Sequence, residues 1–219
     1  MNTFPVVNIF LNPIIANILI FIEMKKFLLS LFFIFPFILL SQKPLRDSVI
    51  IKSDIFTVVY SEKLEQPLSV SYTVDCPSGN ASRSGMDFFT CDSVKTSDSK
   101  DYENNIWDKG HMAPAADFNC DKIMLKKTFS YLNCTLQQQD LNRTTWRLLE
   151  AYERELALKY EVSVIVICVF SKKSTILKSG ATVPDGYYKK ITYNGKTETY
   201  YFKNEKPSTT DFKKFLVKG

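Results

Sequence analysis

From Ile50 to Tyr60 and from Leu68 to Val74, β-branched and aromatic residues alternate with short polar ones, the period of a strand with one buried face. The polar, proline-ended stretch Ser61–Pro67 between them predicts a hairpin loop. Residues 75–105 are rich in Ser, Asp, Asn, Gly and Lys, with few apolar positions, and predict a long surface excursion. Lys127–Leu132 predicts a further short strand. The period then lengthens. Over Leu136–Tyr160 the apolar positions include Leu141, Trp146, Leu149, Leu156 and Leu158, set among strong helix formers, and predict the clearest helix of the chain. Thr135 with Gln138 has capping-box spacing, and Asp140 is an alternative N-cap. Glu161–Phe170 predicts a central strand, the stretch from Gly180 to Ile191 enters another, and Thr197–Phe202 predicts a further one. Asp211–Val217 predicts a short terminal helix. The pattern is that of an α+β protein with a mixed or antiparallel central sheet flanked by helices.

Composition adds little to that outline. The chain has 219 residues, 45% apolar and 23% charged, which suits one domain or a small two-lobed one with a sizeable core. Its formal charge of +5 permits a polyanionic partner without demanding one.

The N-terminal segment stands apart. Met24-Lys25-Lys26, an apolar run from Phe27 to Leu40 and then Ser41-Gln42-Lys43-Pro44 have the layout of a secretory signal peptide over residues 24–41. The run is short for a membrane-spanning helix. Residues 1–23 read as an upstream extension before the true initiator Met24, and 42–219 as the mature domain. A retained, membrane-anchored form is the alternative. Export makes the five cysteines candidates for disulfides, and an odd number leaves a thiol over. Cys76 with Cys91, flanking a Gly/Ser-rich loop, is the preferred pair, and Cys120 with Cys134 a weaker second. Cys168 lies in the apolar run Val162–Phe170 and reads as a packing residue. No Cys/His spacing suggests a zinc site.

Candidate chemistry centres on the only histidine, His111, in the run Trp107-Asp108-Lys109-Gly110-His111-Met112-Ala113-Pro114. An imidazole is the side chain whose ordinary pKa suits it to take a proton near neutrality. On the predicted helix, Glu150 follows Asn142 at about 80° around the axis, and Arg154 follows Glu150 at ion-pair spacing. A solvated ion-pair face explains Glu150 and Arg154 equally well by themselves.

Taken together, Asp108-Lys109-Gly110-His111, then Asn133, then Leu141-Asn142-Arg143-Thr144-Thr145-Trp146-Arg147-Leu148-Leu149-Glu150 and Arg154 resemble the DNA/RNA non-specific endonuclease family. These are sugar-non-specific nucleases with a ββα-metal active site, among them secreted bacterial enzymes and mitochondrial endonuclease G. The likeness runs from about Ile50 to Phe202. It implies that His111 is the general base for the attacking water and that Asn142 is the sole direct protein ligand of a catalytic Mg²⁺, with Mn²⁺ as the alternative ion. It implies further that Asn133 and Glu150 organise water around that ion, that Arg154 and Arg83 support phosphate charge, and that Lys109 and Arg143 contact nucleic acid. Asp108 and Gly110 would be structural neighbours of the site. DNA and RNA would be the substrates, a homodimer is compatible with the family, and a bacterial protein secreted or periplasmic after signal cleavage is expected, with no stable membrane association.

Departures from the family pattern are Lys109, where many members have Arg, and Cys134-Thr135-Leu136, where relatives often have a proline-containing turn. Asn133-Cys134-Thr135 and Asn142-Arg143-Thr144 are formal glycosylation sequons, which a bacterial source makes harmless. Phe88 and Phe89 read either as base-stacking aromatics or as local packing. The alternative to a nuclease is a catalytically weak nucleic-acid-binding relative or an envelope-anchored interaction protein.

Overall fold

A computed structural model of the chain describes residues 45–218. The expected signal peptide over 24–41 and the extension over 1–23 lie outside the described residues. Eight strands are present among the described residues: β1 (Val49–Lys52), β2 (Thr57–Ser61), β3 (Gln66–Thr73), β4 (Trp107–His111), β5 (Cys134–Gln138), β6 (Val162–Val169), β7 (Gly186–Tyr193) and β8 (Lys196–Lys203). Six form one sheet in the order β1-β2-β3-β6-β7-β8, with every neighbouring pair antiparallel. Strands β4 and β5 pair separately as an antiparallel ribbon. The mixed-sheet alternative is therefore set aside.

The first predicted strand is two. The Ser53 amide donates to the Phe56 carbonyl at 2.9 Å, and Ser53 Oγ accepts from the Phe56 amide at 3.1 Å, so a serine-centred turn folds the chain back in mid-run. The predicted strand Lys127–Leu132 is also absent. In its place α1 (Lys122–Lys127) is capped by the Asp121 carboxylate, and a 3-10 turn follows at Tyr131–Asn133.

The predicted helix begins later than its pattern. Cys134–Gln138 pairs with β4, so Leu136 belongs to a strand rather than to a first helical turn. The Thr135 hydroxyl donates to Gln66 Oε1 instead of capping, and Gln138 caps by accepting from the Leu141 amide at 2.8 Å. From there α2 (Gln139–Leu141), a π-helical turn (Asn142–Trp146) and α3 (Arg147–Ala157) run continuously. The π turn holds Asn142, and such wide turns concentrate at functional positions.

This helix covers one face of the sheet. Trp146 and Leu149 are fully buried, and the Trp146 ring meets Tyr187 and Phe202 edge-on at 5.5 and 5.6 Å. Burial of each such side chain stabilises the fold by about 1.5–3 kcal/mol. The opposite face is more open: β6 alternates, with Val164 and Val166 buried beneath the helix and Ile165 and Ile167 40% and 44% exposed on the other side. The protein is α+β, a six-stranded antiparallel sheet with one long helix.

The disulfide joins Cys76 to Cys120, with Cα atoms 5.7 Å apart. Neither expected pairing forms. The Cys76 amide donates to the Asp117 carbonyl, which brings residue 76 beside 117–120 and away from Cys91. Cys91 is a free thiol, and Cys134 is buried in β5 with its Sγ donating to the Tyr102 hydroxyl. Cys168 is buried in β6, as its apolar run predicts.

Candidate active site

Strands β4 and β5 and the helix that follows them build the site. His111 is the last residue of β4, paired in register with Cys134. The ribbon turns it toward the π turn, and both line a cavity of about 370 Å³ together with Arg83, Arg143, Arg147, Glu150 and Arg154. Of the expected site residues, this cavity thus brings together His111, Asn142, Glu150, Arg154, Arg143 and Arg83, drawn from three separate segments.

The His111 ring is walled by Phe88 and Phe129, with centroids at 4.8 and 4.9 Å. Its Nε2 is buried and has no hydrogen-bond partner. Burial, with the positive charge of Arg83 behind it, pushes the imidazole pKa down to about 3. The ring is consequently neutral at physiological pH, the protonation state a base requires.

Asn142 donates from Nδ2 to Asp108 Oδ2 at 2.9 Å. A carboxylate only accepts, so this bond fixes which way the amide points and leaves the carbonyl oxygen for the cavity. Asp108 is itself gripped by Arg143, whose Nε and Nη2 donate to its two oxygens at 2.8 and 2.6 Å. Gly110 is required by packing: a Cβ there would lie 2.4 Å from Gln137 Oε1 and 2.5 Å from Gln137 Cβ on the neighbouring strand.

Glu150 is half-buried, and burial, reinforced by Glu153 and opposed by Lys189 and Arg154, raises its pKa to about 7. Arg154 donates from Nη1 to Asp117 Oδ1 at 2.9 Å, and Asp117 is fully buried. Burial and the neighbouring Glu153 push the Asp117 carboxyl up, against the pull of Arg154. Immediately before Arg154, Glu153 pairs with Lys189 of β7 at 2.9 Å, both fully buried, and accepts a hydrogen bond from the Tyr72 hydroxyl. The Lys189 ammonium also sits 4.8 Å from the Trp146 ring centroid.

Two expected residues take different places. Asn133 is fully buried, and its amide is spent on the backbone: Oδ1 accepts from the Ala113 amide, and Nδ2 donates to the Ala113 and Thr128 carbonyls. It locks the loop after His111 to the turn before β5, which is a different task from organising water in the cavity. Lys109 pairs with Asp87 at 3.2 Å and lies over the Phe88 and Tyr131 rings, outside the cavity lining. Sequence reasoning missed Asp117, Glu153 and Lys189. Asp117 lies six residues beyond His111, but nothing in the sequence announces its pairing with Arg154.

The donor set suits a hard divalent cation. Among the described residues no group of three or more His, Cys, Asp or Glu is arranged to hold a metal. Mg²⁺ takes oxygen ligands and keeps several waters, so a single oriented amide oxygen with a nearby carboxylate is an adequate anchor.

Residues 41–219 match the family described as DNA/RNA non-specific endonuclease, and the chain belongs to that family. Among similar proteins, mitochondrial endonuclease G of Bos taurus is 34% identical over 86 residues, covering 38% of this chain and 29% of that protein. A nuclease of Nostoc sp. is 35% identical over 88 residues, 40% of this chain and 32% of that one. Mitochondrial nuclease EXOG of Danio rerio is 37% identical over 65 residues, 30% and 19% of the two chains. The matched segment spans about a third or less of the length of these relatives. In overall fold the chain is similar to a chain in a crystal structure of the EndoG/EndoGI complex, with a TM-score of 0.71, 24% identity and coverage of 80% and 81% of the two chains.

Proposed function

We propose that this protein is a Mg²⁺-dependent endonuclease that hydrolyses phosphodiester bonds of DNA and RNA, and that a bacterium exports it through the segment 24–41. The observation that carries the reading is the placement of His111 and Asn142 in one cavity with Glu150, Arg83 and Arg154. Asn142 Oδ1 would hold the ion, and Glu150 would orient its waters. When bound, the ion supplies Lewis-acid stabilisation of the phosphoryl and leaving oxygens.

The chain's own residues supply the rest. His111, held neutral, takes the proton of the attacking water. Arg83 and Arg154, both lining the cavity, neutralise the phosphoryl oxygens. Asp117 keeps the Arg154 fork in place. Recognition through phosphates carries no sequence information, so cleavage is expected on either nucleic acid and at any sequence.

The test is degradation of plasmid DNA and of structured RNA with Mg²⁺, with Mn²⁺ and with EDTA. Wild type is expected to degrade both only with the ion, His111→Ala to lose activity, and Asn142→Ala to lose it while nucleic-acid binding survives. Undiminished cleavage by His111→Ala, or none by wild type with either ion, overturns the reading. Mass measurement of the mature N-terminus from a bacterial culture tests export, with cleavage near Ser41 expected.

A further inference from the structure

A second cavity, of about 470 Å³, is lined by Met86, Phe89, Lys122, Ile123, Lys126 and Lys127. One tight turn contributes residues to both cavities. The Met86 amide donates to the Arg83 carbonyl, and Gly85 within the turn has φ +75°, a left-handed conformation glycine adopts without penalty. Arg83 faces the catalytic cavity, and its neighbours Ser84 to Met86 face the other. The turn is anchored on both sides: before it the Ala81 amide donates to the Asn119 carbonyl, and after it the Phe89 amide donates to the Phe129 carbonyl, the Tyr131 amide donates to the Phe89 carbonyl, and Phe88 packs on His111.

The chemistry of this second cavity is apolar below and cationic at the rim. Phe89 is 42% exposed and Ile123 69% exposed, although both are large and apolar. Lys122 and Lys126, one helical turn apart on α1, have no ion-pair partner among the described residues, whereas the adjacent Lys127 is paired with Asp54. No carboxylate lines the cavity.

We infer that this cavity binds the single-stranded continuation of the nucleic acid whose scissile phosphate lies at His111, with a base stacked on Phe89 and flanking phosphates on Lys122 and Lys126. An aromatic platform beside free cations is how proteins hold single strands regardless of sequence. The Arg83–Met86 turn, which lines the catalytic cavity at one end and this one at the other, favours a nucleic acid over a protein occupant, and so does the cationic rim. The inference rests on the proposed nuclease reading and extends it to substrate beyond the cleaved bond. It makes Phe89 a base-binding residue and leaves Phe88 as a wall of the base.

The experiment uses the full chain in EDTA, where binding is read without cleavage. A fluorescently labelled oligothymidylate reports affinity by anisotropy, and turnover of bis(p-nitrophenyl) phosphate with Mg²⁺ reports the catalytic cavity alone. Phe89→Ala is expected to weaken oligonucleotide binding about fivefold or more, and Phe89→Trp to restore it. Lys122→Ala with Lys126→Ala is expected to lower the slope of log affinity against log salt by about 1.4, two phosphate contacts on a single strand. Turnover of the small diester should not change in any of these variants. Unaltered affinity and salt slope would overturn the inference and hand the patch to a protein partner. Absence of all turnover by wild type, with binding behaving as described, would instead count against the nuclease reading alone.

Discussion

Asp108 Oδ2 accepts the Asn142 amide at 2.9 Å while Arg143 grips the same carboxylate through Nε and Nη2. One side chain on β4 therefore sets the orientation of the amide on the π turn. Removing such an orienting partner lowers metal affinity by about 10–100-fold in other sites. Asp108→Ala is predicted to raise the Mg²⁺ concentration for half-maximal activity by at least about tenfold, with activity recovered at saturating ion. A Mg²⁺ titration of nuclease activity checks it; an unchanged midpoint would show that Asp108 does not orient the ligand.

The depressed pKa of His111 carries a consequence for stability. In the unfolded chain an imidazole titrates near 6.5, whereas the folded one stays neutral down to about 3. Between those values the unfolded state binds the extra proton, so this residue makes stability fall as pH falls from 6.5 toward 3. Glu150, raised to about 7, acts in the opposite sense between its unfolded value and 7, so the comparison must be made between wild type and a His111 variant. Urea midpoints of wild type are predicted to drop more steeply than those of His111→Gln across that window. Parallel curves would contradict the burial of a neutral imidazole.

Gly110 has no room for a methyl group. A Cβ would overlap Gln137 Cβ as well as Oε1, so swinging the end of the glutamine away does not relieve it. Gly110→Ala is predicted to destabilise by about 1–3 kcal/mol, the usual range for overpacking. Thermal melts of Gly110→Ala and of Gly110→Ala with Gln137→Gly should show a loss in the first and a partial recovery in the second.

Glu153 and Lys189 form an ion pair with neither side chain exposed. Breaking a buried pair by removing one partner costs about 3–5 kcal/mol, because the other charge is stranded. Lys189→Met is predicted to fall in that range, and Lys189→Met with Glu153→Gln to recover much of it. Urea unfolding measures both. A fully additive double variant would mean that the two charges are not coupled.

Much of the site was legible in the chain because its chemistry is carried by local groupings. His111 stands alone of its kind, and Asp108 to His111 is contiguous; Asn142, Glu150 and Arg154 recur on one helix. The boundaries were less legible. Leu136 fits a helical pattern, yet pairing with β4 gives its backbone a strand partner, and that partner lies 27 residues earlier, at Lys109. The serine-centred turn at Ser53 hides inside an alternating run for a similar reason, since a turn set by hydrogen bonds leaves the hydrophobic period intact.

The sequence by itself determined the class of the fold and the family, and it supplied the side chains we propose as base, ligand and phosphate contact. These follow from residue type and spacing along the chain. Tertiary structure alone decided what those side chains face. It spent Asn133 on the backbone of the loop after His111, drew Lys109 onto Asp87, joined Cys76 to Cys120, and set Asp117 against Arg154. Each of these outcomes depends on which distant segments meet. A hydrogen bond or disulfide forms only within a few ångströms, and separation along the chain does not encode that distance.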